Sequence, residues 1–261
     1  MSWGSRSDPA DRVRLPRESR GRNRNLISLS GSLNLRTQKV CGMARTRKTE
    51  KANPSAASTL AVRPLREDDW PTVEKLFGSN GACGGCWCMW WRVPQGGKLW
   101  EQMKGKKNRA AFRKLVESGD VHGVLAFSGG EPVGWCSFGP RGSYPRLERV
   151  RALKRDWNEG TWSILCFYIP PAWRRRGVAK LLLKAATARA FELGAREVEG
   201  YPVTTSDPTA MMPGAFAWTG VPALFDSAGY KKLPDQNGRR RIVLKSAGRS
   251  GSKPGAGRET R

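Results

Sequence analysis

The chain has 261 residues, 38% hydrophobic and 26% charged, with a formal net charge of +25, so it can bury one sizeable core and is not low-complexity throughout. No apolar run approaches the length of a membrane-spanning helix, and the N-terminus lacks the compact hydrophobic segment of a secretory signal, so no membrane partner is expected. The charge suggests a nucleic-acid binder until it is divided: residues 1–60 carry +9, residues 238–261 carry +7, and the long stretch between carries the other +9.

Residues 1–59 are rich in Arg, Ser, Asn, Gly and Pro without a sustained period, and read as a disordered basic extension in which Met43 offers an alternative start. Residues 60–245 hold nearly all the tryptophans and form the expected folded domain, and residues 246–261 form a second basic tail. Such tails bind nucleic acid weakly, by counterion release, and a nucleic-acid-binding protein is one alternative reading of the chain. The compartment expected is the cytoplasm, and the state a monomer or homodimer.

In chain order, Leu60-Ala-Val-Arg-Pro-Leu-Arg66 reads as a first strand, and Asp68-Asp69-Trp70-Pro71 as a helix start with acidic caps and a proline in the first turn. Next comes Cys83-Gly-Gly-Cys86-Trp87-Cys88-Met89-Trp90-Trp91, and then a basic amphipathic helix over about Lys98 to Glu117. Three thiols at Cys-x-x-Cys-x-Cys spacing invite a structural metal, with a fourth ligand from Cys41, Cys136, Cys166 or His122. No second Cys-x-x-Cys is present, so the expected metal is none, and a cysteine-ligated metal module stands as a further alternative. Val121 to Phe127 and Val133 to Phe138 flank Ser128-Gly-Gly-Glu-Pro132, a hairpin signal with a glycine-bearing turn. Arg146 to Arg155 reads as a short charged helix.

Trp162 to Ile169 is a short apolar run rich in aromatic and β-branched residues, hence a buried strand, and Val178, Leu181, Leu182, Ala185, Ala186 and Ala190 recur at helical spacing up to Gly194. Between them lies Pro170-Pro171-Ala172-Trp173-Arg174-Arg175-Arg176-Gly177. A strand, a glycine-punctuated turn and an opening helix aim several backbone N–H groups and the positive end of the helix dipole at one spot, which suits a phosphate. Val198 to Tyr201 reads as a further strand, Pro222 to Ala228 as a short helix ending at Gly229, and Tyr230 to Leu233 and Arg240 to Leu244 as closing strands.

The spacing Arg174-x-x-Gly177-x-Ala179, with Ile169-Pro170-Pro171 upstream, resembles the acyl-CoA signature of the GNAT superfamily of N-acetyltransferases, and Leu224-Phe-Asp-Ser-Ala-Gly229-Tyr230 resembles that family's later landmark, a short helix ending in Gly-Phe. The Cys-Trp-Cys-Met segment resembles a GNAT subgroup whose acceptor the resemblance does not name. What it implies is an α/β (α+β) fold with a mixed, mostly antiparallel central sheet flanked by helices, and an N-acetyltransferase using acetyl-CoA as acyl donor and an amine as acceptor. By the same resemblance, Phe167, Tyr168 and Ile169 would present backbone groups to the pantetheine arm in a gap between two splayed strands. Arg174, Arg175, Arg176, Gly177, Val178 and Ala179 would hold the pyrophosphate. A backbone N–H near Tyr168 would polarise the thioester, and the loop containing Trp87, Trp90 and Trp91 would line the acceptor pocket. The family's usual proton donor, a tyrosine four residues before the landmark glycine, is Phe225 here and cannot serve. Tyr168, Tyr201 and Glu199 are the substitutes, and Cys136 and Cys166 are expected to behave as small core hydrophobes.

Overall fold

A computed structural model describes residues 59–94, 98–204, 217–234 and 241–248. The chain divides into two units, Met1–Pro54 and Ser55–Arg261, and every described residue belongs to the second. The extension expected over 1–59, with Cys41 and Met43, lies almost wholly outside the described residues, as does most of the tail expected over 246–261.

Seven strands form one open sheet: β1 (Leu60–Pro64), β2 (His122–Ser128), β3 (Glu131–Pro140), β4 (Thr161–Tyr168), β5 (Glu197–Gly200), β6 (Lys231–Lys232) and β7 (Val243–Ser246), in the order β1-β2-β3-β4-β5-β7-β6. Each neighbouring pair is antiparallel except β4 and β5, which run parallel because a helix crosses between them. The fold is therefore mixed α/β with a mostly antiparallel sheet.

Strand alternation sorts the core into two faces. Val124, Ala126, Cys136 and Phe138 turn one way and pack on Val178, Leu182, Leu183, Ala186 and Ala190 of α4 (Val178–Glu192). Leu125 and Trp135 turn the other way, against α1 (Trp70–Phe77) and α3 (Lys106–Glu117) through Trp70, Val73, Phe77, Phe112 and Val116. A third cluster on that second face joins Trp91, Tyr144, Leu147, Leu153, Leu165, Tyr201 and Ile242. Burying each large aliphatic side chain contributes about 1.5–3 kcal/mol, so the helices are held by these stripes rather than by propensity alone.

Three local expectations change. The helix expected over Lys98 to Glu117 is two, α2 (Lys98–Met103) and α3, broken at Gly105. There the chain turns to donate the Gly105 N–H to the Gly85 carbonyl at 3.0 Å, and Asn108 Nδ2 donates to the same carbonyl at 3.2 Å. Gly85 has φ +72 and its missing Cβ would stand 2.6 Å from the Gly105 nitrogen, so the Cys-Gly-Gly-Cys sequence is what allows the two backbones to touch. The hairpin turn is two residues, since Ser128 lies opposite Glu131. Arg146 to Arg155 forms no α-helix: 3₁₀ turns at Arg141–Ser143, Pro145–Arg149 and Arg151–Leu153 follow one another, interrupted by Tyr144 and Val150 in non-helical conformations.

Candidate active site

Proline ends β4 and glycine starts α4. Pro170 and Pro171 lack N–H groups and so cannot extend a ladder, and a 3₁₀ turn over Pro171–Trp173 leads into Arg174. Arg175 and Gly177 both take positive φ, 61° and 81°, which folds the backbone into a concave turn. The first helical bond of α4 is from the Leu181 N–H to the Gly177 carbonyl at 3.1 Å, and no side chain caps the helix. The amides of Val178, Ala179 and Lys180 thus have no carbonyl within the helix to meet, and the turn from Arg174 to Gly177 is exposed. The Arg176 guanidinium stands 5.2 Å from the Trp173 ring centre, and Arg174 Nε donates to the Ile169 carbonyl at 3.1 Å.

Beside this turn the sheet opens. The parallel pairing of β4 with β5 runs only from Thr161 opposite Glu197 to Ile164 opposite Gly200. At that point the register of β4 on β3 shifts, because Ile164 faces Phe138 while Cys166 faces Ser137 and Leu165 is left as the extra residue of a bulge. A bulge bends and twists its strand, so β4 leaves β5 where the bulge begins. In the split, the Phe167 N–H donates to the carbonyl of Trp218 at 2.7 Å. Alternation sends the backbone groups of Tyr168 the opposite way, toward Trp135 of β3. Of the three residues expected to present backbone to a pantetheine arm, Phe167 and Ile169 therefore face the split and Tyr168 does not, a correction that strand geometry forces.

Residues 88–211, a span holding the turn and both strands of the split, match the Acetyltransferase (GNAT) family. Over that span the chain is similar to a GNAT acetyltransferase domain. No curated protein matches the sequence. Among solved structures, the PaiA N-acetyltransferase from Thermoplasma acidophilum in complex with coenzyme A is 14% identical, with 72% of this chain and 99% of that one covered at a TM-score of 0.43. A ribosomal-protein-alanine N-acetyltransferase from Brucella melitensis gives 15%, 72%, 99% and 0.44, and YncA from Salmonella typhimurium with its cofactor acetyl-CoA gives 13%, 76%, 98% and 0.44. Identity and superposition are both low, so the assignment rests on the family match.

Within the matched span the three substitute proton donors part company. Tyr168 is half-buried at the end of β4 with its ring 5.5 Å from that of Phe77, and its hydroxyl makes no hydrogen bond among the described residues. Burial raises its pKa above the ordinary tyrosine value while the Arg174 charge pulls the other way, so it is protonated at neutral pH. Tyr201 and Glu199, by contrast, are both fully buried. The Tyr201 hydroxyl donates to Glu199 Oε2 at 2.6 Å and meets Ser163 Oγ at 2.7 Å, while Arg141 Nη1 donates to that Glu199 oxygen at 2.5 Å and Arg155 Nε to its other oxygen. Burial first, and then the neighbouring Glu199 charge, hold Tyr201 well above its ordinary pKa. These two are interior struts out of reach of a substrate, contrary to the sequence expectation. Nothing in the sequence marked Arg141 and Arg155 as the cations that would enclose them.

Phe225, in α5 (Pro222–Asp226), is also fully buried; its ring lies 6.3 Å from Phe167 and 5.1 Å from Tyr230, both edge to face. The tryptophans of the loop after α1 divide likewise. Trp87 is 3% exposed and packs on Trp70 and Phe77, and Trp91 is 3% exposed and packs on Tyr201 and Trp218. Both belong to the core, not to an acceptor wall. Trp90 alone of the three stays half-buried, edge to face with Trp100 and with Trp218.

The loop thiols differ as much. Cys83 is exposed, Cys86 is pushed up to about 12 by burial and then by Cys88, and Cys88 Sγ accepts from Trp135 Nε1 at 2.9 Å. Among the described residues no three His, Cys, Asp or Glu side chains converge as metal ligands. Cys136 is fully buried in the α4 face of the core, and Cys166 packs partly buried on the opposite face. An open depression of about 530 Å³ lined by Leu65, Asp68, Val116 and His122 lies toward the other end of the sheet, away from the turn.

Proposed function

We propose that the protein transfers an acetyl group from acetyl-CoA to a primary amine of a small molecule or protein. The observation that carries this reading is an exposed, uncapped helix N-terminus set at the mouth of a split between two parallel strands, inside the span that matches the family. The amides of Val178 and Ala179, with the backbone of Arg175 to Gly177 and the charges of Arg174 and Arg176, would receive the pyrophosphate. Phe167 and Ile169 would pair with the pantetheine arm, which enters the gap as a strand would.

The neutral amine attacks the thioester carbon, and the developing oxyanion is met by the Phe167 N–H once the Trp218 carbonyl has yielded it. The carbon–sulfur bond then breaks, and Tyr168 gives its hydroxyl proton to the departing thiolate while the amine nitrogen loses one to solvent. The unbridged thiols of Cys83, Cys86 and Cys88 suit a reducing compartment, and we place the protein in the cytoplasm. No described helix is long and apolar enough to cross a membrane.

Isothermal titration with acetyl-CoA and with coenzyme A, followed by release of free thiol in the presence of amines, tests the reading. Binding that is lost in Gly177→Glu, which puts an acid at the phosphate turn, supports it. A wild-type protein that binds neither ligand excludes it.

A further inference from the structure

Arg146 is an arginine whose counter-charge is not supplied by the described residues. It lies in the 3₁₀ turn Pro145–Arg149, anchored by its N–H to the Trp91 carbonyl at 3.4 Å, and its guanidinium carbon sits 3.4 Å from the centre of the Trp90 ring. Its Nη1 is closed off from solvent and has no hydrogen-bond acceptor among the described residues. Burial alone acts on its ionisation, lowering its pKa with no carboxylate nearby to offset it.

The contrast with other arginines of this domain is plain. Arg63 is held by Asp69, Arg109 by Glu74, Arg113 by Glu117, Arg155 by Glu197 and Glu199, and the fully buried Arg141 by Glu148 and Glu199. Glu148, two residues from Arg146 in the same turn, is committed to Arg141 and to Trp157 Nε1. A partly desolvated guanidinium remains charged and costs free energy until an anion meets it. Over an aromatic face, a guanidinium still offers its N–H fork to a carboxylate or phosphonate in bidentate fashion.

Its position ties it to the reaction. Trp90, beneath the guanidinium, contacts Trp218 with ring centres 6.3 Å apart, and the Trp218 carbonyl is the group that occupies the Phe167 amide in the split. Arg146 is thus two ring contacts from the place proposed for the thioester, on the side of the loop that follows α1.

We infer that the acceptor is an amine that also carries an anionic group, a carboxylate or phosphonate, and that Arg146 on Trp90 receives that group while the amine faces the thioester. The inference rests on the proposed acetyl transfer. An amino acid or a small aminophosphonate has this chemistry.

Paired acceptors test it: phenylalanine against phenethylamine, 4-aminobutyrate against butylamine, and 2-aminoethylphosphonate against ethylamine, each followed by thiol release from acetyl-CoA. At least one anionic member should exceed its neutral counterpart in kcat/KM by about 10-fold or more. Arg146→Gln should reduce that ratio by about 10- to 100-fold through KM, with the Kd for acetyl-CoA unchanged, and Arg146→Lys should restore part of it. A wild-type panel in which no anionic member leads, or an Arg146→Gln variant that keeps the ratio, overturns the inference while titrated acetyl-CoA binding leaves the transferase reading standing. Loss of acetyl-CoA binding by the wild type removes both.

Discussion

Tyr168 is the residue on which the proposed chemistry is most exposed to test. Of the three substitute donors it alone makes no side-chain hydrogen bond among the described residues, and Tyr168→Phe deletes a single oxygen from a half-buried ring. The expected result is a fall in kcat of about 10²- to 10⁴-fold, with the Kd for acetyl-CoA unchanged by titration. An unchanged kcat would falsify the assignment. Tyr168 could be named from the sequence because it closes an apolar strand directly before the proline pair. The enclosure of Tyr201 and Glu199 could not, because their partners carry no periodic signal: Arg141 comes from a 3₁₀ turn and Arg155 from the irregular stretch that follows Leu153. The thiols are a second test at this scale. Brief alkylation of the native protein should label Cys83 and spare Cys86, Cys88 and Cys136, with mass spectrometry as the readout; equal labelling of Cys86 would contradict its raised pKa.

Between elements, the β4–β5 split depends on what fills its edges. Phe225 lies against Gly200, the last residue of β5, and a Cβ added there would stand 2.1 Å from the ring. Gly200→Ala should therefore cost about 1–3 kcal/mol in urea unfolding, and a neutral result would mean that α5 moves freely relative to β5. The strand–turn–helix unit was legible because its signals are local: aromatic and β-branched density, a proline pair, glycine, then helical spacing. The bulge at Leu165 was not, since one extra residue in an apolar strand leaves no mark on its composition, although it is what parts the strands. The break at Gly105 escaped for a related reason. Its cause is Gly85, twenty residues away in the chain and in backbone contact with it.

For the whole molecule, ion pairs at the margins of the sheet set the response to acid. Burial raises the pKa of Asp69, but hydrogen bonds from Arg63, at 2.5 and 2.6 Å, and from the Arg66 N–H, at 2.8 Å, outweigh it and leave the carboxyl below its ordinary 3.8. Glu197 is lowered in the same direction by Thr161 and Arg155 against its burial. A carboxyl depressed in the folded state stabilises it above the unfolded pKa, and that contribution fades as pH falls through the folded value. Urea midpoints should be level near neutrality and decline below about pH 4, and Asp69→Asn should flatten part of that decline. An acid slope identical in the variant would show that the pair does not matter. Fold class was legible at this scale because hydrophobic stripes of two periods alternate along the chain; the division of the opposite face into two clusters depends on which loops return to it, which stripes do not encode.

The Phe167 amide, already given to the Trp218 carbonyl, bears on how the enzyme lets go of its product. In the proposed reaction the thioester oxygen of acetyl-CoA would replace that carbonyl, and coenzyme A, once the acyl group has left, would bring no thioester oxygen to hold the amide. The chain would then reclaim its own hydrogen bond as the thiol departs, so the internal contact would favour release of the spent donor over the fresh one.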